Sequence, residues 1–172
     1  RYPPNPIRAL DDQPTAAQAA GEFFFNNVPV DLGQMTCEFC HRLPLGTDGF
    51  SSEEGEPQQF KIAHLRNMYQ KVGMFGVPPN GLVPPTGFMG DQIRGTGFLH
   101  DGSVATLFDF LNAQVFFFNN NPERRNVEAF SLAFDTGLKP VVGQQVSATP
   151  DTYDDQTVID RIDLLIERAE AG

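Results

Sequence analysis

The sequence predicts an all-α domain with a long Gly/Pro-rich insertion loop and a C-terminal helical extension. Apolar residues recur at helical spacing in several separate segments, only residues 136–152 offer a candidate strand pair, and residues 73–97 are dense in glycine and proline. At 172 residues the chain can bury one core. We expect three parts: an extended arm over 1–12, the domain proper over 13–135, and an extension over 136–172.

The arm is proline-rich and aperiodic. Asp12 or Gln13 can cap a first helix with Pro14 in its opening turn, where a missing N–H costs nothing. In that helix Ala17, Gly21 and Phe25 share one face, a flat patch beside an aromatic ring. Residues 42–59 read as a loop. A short helix is expected over 60–72, where Phe60, His64, Leu65 and Met68 fall at helical spacing. After the loop of 73–97, a third helix is expected over 101–118, with Ser103 as cap and Val104, Leu107, Phe108 and Leu111 inward. A fourth spans 123–135 with Val127, Phe130 and Phe134 on one stripe. Residues 136–152 could hold a short strand pair around Val141, Val142 and Val146. The last helix, 154–169, turns Val158, Ile162, Leu165 and Ile166 inward and its charges outward.

The chemistry is concentrated in Cys37-Glu38-Phe39-Cys40-His41. Cys37 and Cys40 are the only cysteines, so the four cysteines of a zinc site are missing, and no βαβ pattern surrounds them as in a thioredoxin-like dithiol. C-x-x-C followed directly by His is the attachment signal of haem c. Two thiols one helical turn apart can meet the two vinyl groups on one porphyrin edge, and the next imidazole swings under the iron. The competing reading is a surface dithiol with an incidental histidine. We therefore expect one covalent haem c, with Cys37 and Cys40 in thioether bonds and His41 on the metal.

Composition narrows the setting. The 16 Phe, against 3 Tyr and no Trp, supply large apolar area without polar atoms to satisfy, which suits an apolar cofactor. A formal charge of −10 argues against nucleic acid or an anionic membrane surface, both of which need clustered Lys and Arg. No apolar run is long enough to span a bilayer. Redox partner proteins are the expected partners, and a homo-oligomer or membership of a larger chain is compatible with the sequence. A first residue other than Met points to processing or to a longer parent chain, and a haem c protein is expected in the periplasm or outside the cell.

The second axial ligand sets the chemistry, because a thioether or second imidazole gives a low-spin electron carrier and an open position gives ligand or peroxide chemistry. The candidates are Met35, His64, Met68, Met74, Met89 and His100. Met35 is too near the attachment turn to reach across the ring. His64 and Met68 share a helix face and read as packing. Met74, between Gly73 and Gly76, has a backbone free to press close to a porphyrin and is the leading candidate; Met89, between Gly87 and Gly90, is second. His100, or no ligand at all, remains open.

Two further blocks carry a resemblance. Phe60-Lys61-Ile62-Ala63-His64-Leu65-Arg66-Asn67 and Phe98-Leu99-His100-Asp101-Gly102-Ser103-Val104-Ala105-Thr106-Leu107 resemble the F-K-x-P-x-L-R-N and Y-x-H-D-G-S-x-x-T-L pair of the bacterial di-haem cytochrome c peroxidase and MauG-like superfamily. With C-x-x-C-H ahead, the likeness covers roughly residues 15–135. It implies a cytochrome c-like haem domain in which Arg66 reaches a haem propionate and the His100-Asp101-Gly102 turn braces the haem crevice; Arg94, outside the resembling blocks, is our further candidate for the propionates. Such domains cross their N-terminal helix at a small residue. The chain also departs from the pattern. The axial Met that usually follows the T-L helix is missing from Asn112-Ala113-Gln114-Val115, Phe108 stands where the peroxidatic domain places its catalytic Glu, and there is no second haem domain.

The expected function is therefore a mono-haem c-type cytochrome in electron transfer, with His41 and Met74 on iron. One rival is a peroxidase-like or ligand-binding haem enzyme using His64 or His100 as distal acid or base. Another is a structural subunit of a haem-bearing assembly.

Overall fold

The computed structural model describes residues 2–53, 59–72, 95–99 and 101–172. In order they form α1 (Ala16–Asn27), α2 (Cys37–Cys40), β1 (Ser51–Ser52), β2 (Phe60–Lys61), a 3-10 turn (Met68–Gln70), α3 (Leu107–Phe110), α4 (Asn121–Leu132) and α5 (Gln156–Ala171).

α1 begins one turn later than the prolines suggest. The Thr15 hydroxyl accepts from the Gln18 N–H and the Gln18 side chain accepts from the Thr15 N–H, a reciprocal cap that outcompetes Asp12 and Gln13. Its buried face is Gln18, Gly21 and Phe25, whereas Ala17 is exposed. α4 is capped by the Asn120 side chain with Pro122 in the first turn, and it packs along α1. Gly21 makes the crossing possible: a Cβ there would lie 1.9 Å from the Asn126 carbonyl oxygen and 2.9 Å from the Phe130 Cβ. The small residue therefore meets α4, with Phe25 and Phe130 edge to face at 5.2 Å beside it.

The expectation of an all-α fold is overturned. The structure is 36% helical and contains a two-stranded antiparallel sheet, pairing Ser51 with Lys61 and Ser52 with Phe60. The helix expected over 60–72 is replaced by β2 and the 3-10 turn. The reason is tertiary: the Ile62 N–H donates to the Phe50 carbonyl and the Ile62 carbonyl accepts from the Thr47 hydroxyl, so this backbone is taken by the 47–50 loop. Leu65, Met68, Tyr69 and Val72 are buried all the same, because one 3-10 turn suffices to point them inward.

The helix expected over 101–118 shrinks to α3. Phe98 and Val104 form a bridge, Gly102 takes a left-handed φ of 71°, and the Thr106 hydroxyl accepts from the Asp109 N–H, so the helix starts after Thr106 and not at Ser103. Beyond it, Phe116 bridges to Asp31, which pulls the chain away from the helical path. Residues 136–152 form turns without a strand. α5 keeps its amphipathic sequence but buries no residue fully, and Ile166 is 52% exposed.

Phe25, Leu65, Met68, Val72, Phe98, Val104, Leu107, Leu111, Ala113, Val127 and Phe134 form one continuous core. Each large apolar side chain so buried contributes about 1.5–3 kcal/mol relative to exposure. The arm is fastened to this body. Asn5 is fully buried, its amide donating to the carbonyls of Leu132 and Phe134 at the end of α4 at 2.8 and 3.0 Å. Among the described residues no helix is long and apolar enough to cross a membrane.

Candidate functional site

α2 is a single turn, Cys37–Cys40, and its closing bond is the His41 N–H to the Cys37 carbonyl at 2.9 Å. Cys37 and Cys40 are three residues apart, so both sulfurs leave from one side of the turn, and both are half-buried. Burial first, and then the Asp31 carboxylate, push the Cys37 thiol up to about 12. A thiol so hard to ionise is unlike the activated thiolate of a redox-active C-x-x-C pair.

The chain after His41 folds back beneath it. Gly46 and Thr47 donate from their N–H groups to the Arg42 carbonyl, and Asp48 donates to the Cys40 carbonyl. This loop carries the Gly46 carbonyl to 2.8 Å from His41 Nδ1, and the Ala63 carbonyl, just beyond β2, lies 3.1 Å from the same nitrogen. A carbonyl can only accept, so Nδ1 holds the ring proton. The neutral imidazole then has its lone pair on Nε2, the arrangement of a histidine ligand oriented through its other nitrogen. Gly46 is required: its φ is +72°, and a Cβ would sit 2.8–2.9 Å from Leu65 atoms. Phe25 stands beside the imidazole, with ring centroids 6.5 Å apart.

Arg66 has its Nε buried without a hydrogen-bond partner, as has Arg168 in α5. Its own N–H donates to His64 Nδ1 at 3.3 Å. That bond puts the proton of neutral His64 on Nε2, which donates to the Tyr2 hydroxyl oxygen at 2.9 Å. Burial, helped by Lys71 and Arg66, lowers the His64 pKa. His64 thus anchors the arm, and Met68 lies in the core as packing.

Of the residues singled out by sequence, Cys37, Cys40 and His41 are brought together, and Arg66 follows the Ala63 carbonyl by three residues. Met74, Met89, Arg94 and His100 lie outside the described residues. Among the described residues no three His, Cys, Asp or Glu side chains converge as a metal cage. A cleft between Val146 and the α5 residues Val158 and Leu164, and another under Pro4–Leu10, share no residue with the motif.

The residues present fit a haem: an imidazole oriented through Nδ1 with Nε2 left to ligate, two thiols on one turn with that of Cys37 held protonated by burial, and an arginine whose buried Nε has no acceptor. Sequence reasoning missed the Gly46 and Ala63 carbonyls, since a backbone acceptor carries no side-chain signal; the glycine five residues after His41 was the one available hint. Phe108, at the position of the peroxidatic Glu in the resembled superfamily, is buried, and its N–H donates to Glu128 Oε1 at 3.1 Å. Compared with family models, curated proteins and solved structures, the chain matches none.

Proposed function

We propose that this protein is a mono-haem c-type cytochrome that carries electrons, with thioether bonds at Cys37 and Cys40 and His41 Nε2 as the proximal ligand. The observation that carries the reading is the pair of carbonyls on His41 Nδ1, which supports a fixed tautomer and a ligand nitrogen ready for iron. The haem supplies one-electron chemistry; the chain orients its ligand, shields it with Phe25 and receives its carboxylates near Arg66. Met74 is the proposed second ligand, with Met89 or His100 as the alternatives, and Arg94 and His100 are proposed to line the cofactor. The partners are redox proteins with basic or neutral docking faces, given the charge of −10, and the location is the periplasm or the cell exterior.

The test is expression with a haem c maturation system, followed by intact mass and visible spectra. The expected result is one haem that survives denaturation, lost in the Cys37→Ser, Cys40→Ser variant, and a low-spin spectrum in both redox states. A high-spin ferric spectrum with ready binding of carbon monoxide or peroxide replaces the carrier with a ligand-binding enzyme. Met74→Ala and Met89→Ala, made singly, identify the second ligand by which one changes the spectrum.

A further inference from the structure

Among the buried polar atoms of the described residues that have no hydrogen-bond partner, two sit on neighbouring segments. One is Arg66 Nε; the other is the hydroxyl of Thr136, a residue only 4% exposed. A buried hydroxyl or guanidinium N–H left unpaired costs about 1–3 kcal/mol, so a native fold keeps such groups where something satisfies them. The two segments are 70 residues apart in sequence, yet Arg66 Nη1 lies 3.9 Å from where a Cβ on Gly137 would be. Gly137 adopts a φ of +83° and its N–H donates to Asp135 Oδ1 at 2.6 Å, so the 135–137 turn is held in place next to the guanidinium. Asp135 itself is engaged by that N–H and by Arg8 at 3.4 Å, which leaves the Arg66 charge without an ion pair among the described residues.

The missing partner must be an acceptor, because a guanidinium only donates, and it must be anionic to balance a half-buried cation. A carboxylate meets both demands and can take one bond from each residue. We propose that Thr136 is a positioning residue that, with Arg66, holds a carboxylate of the bound haem. This rests on the haem reading above. Thr136 lies just past α4, outside every motif that the sequence singles out, and its donated bond would keep that carboxylate ionised.

The experiment is a potentiometric titration of the haem-bearing protein across the acid range, for wild type, Thr136→Val, Thr136→Ser and Arg66→Gln. An ionised carboxylate near the iron favours the ferric state, so its protonation raises the potential, and losing one donor should move the onset of that rise upward by about one pH unit. We expect the shift in Thr136→Val and Arg66→Gln and recovery in Thr136→Ser; Thr136→Ala substitutes if the valine variant does not fold. Identical profiles in all variants overturn the proposal while leaving the haem reading intact. A midpoint that depends on added acetate in wild type alone also overturns it, since the occupant is then a solution carboxylate. A parent protein without covalent haem removes both readings, a failure that the intact mass identifies before any titration.

Discussion

The guanidinium carbon of Arg125 lies 3.4 Å from the centroid of the Phe108 ring, and Glu128 holds it there with an ion pair of 2.6 Å. Glu128 also accepts from the Phe108 N–H, and Arg124 approaches the same ring at 5.8 Å. Position 108 is thereby built as a cation–aromatic stack joining α3 to α4. Arg125→Met and Phe108→Leu should each lower the unfolding free energy, and a double-mutant cycle between them should show a coupling of about 1 kcal/mol. Additive effects in denaturant titrations would mean that the stack is mere proximity.

Gly46→Ala tests the seat of His41. The substitution forces a side chain into a left-handed φ and into Leu65, so the loop must shift and carry the Gly46 carbonyl away from Nδ1. A loss of about 1–3 kcal/mol in stability is expected. In haem-bearing protein the reduction potential should rise as well, since a weaker bond to Nδ1 makes the ligand less electron-rich. Unchanged stability by chemical denaturation would refute the packing argument.

Gly21→Ala separates propensity from packing. In an open helix the change would stabilise by about 1 kcal/mol. Here the new methyl would overlap the Asn126 carbonyl, and α1 and α4 must move apart along their length. Destabilisation by about 1–3 kcal/mol or more is expected, read as a lower denaturant midpoint.

The Tyr2–His64 contact predicts a pH dependence. Burial holds the His64 pKa below the ordinary histidine range, so in that window the unfolded chain binds more protons than the folded one. Stability from this group is present above its ordinary pKa and is lost as pH falls through that value toward the folded one. Protonation also removes the acceptor that Nδ1 offers to the Arg66 N–H. His64→Gln should flatten the acid limb of stability measured by denaturation at several pH values, and Tyr2→Phe should reduce it. An acid limb of wild-type steepness in His64→Gln assigns the effect to other groups.

The sequence by itself determined the helical periodicity of α1, α4 and α5 and the adjacency of two thiols and an imidazole in residues 37–41. These are local properties: side chains three and four apart share a helix face wherever the chain goes, and caps act within one turn. Only the tertiary structure decided that residues 60–61 pair with 51–52, that α3 is one turn, and that α5 stays half-exposed. It also decided which His41 nitrogen carries the proton and which residue approaches Arg66. Those outcomes depend on backbone carbonyls and N–H groups that every residue shares, and on close approaches between segments distant in sequence. No side-chain pattern encodes which carbonyl will arrive, and so Gly46, Ala63 and Thr136 became visible only once the chain was folded.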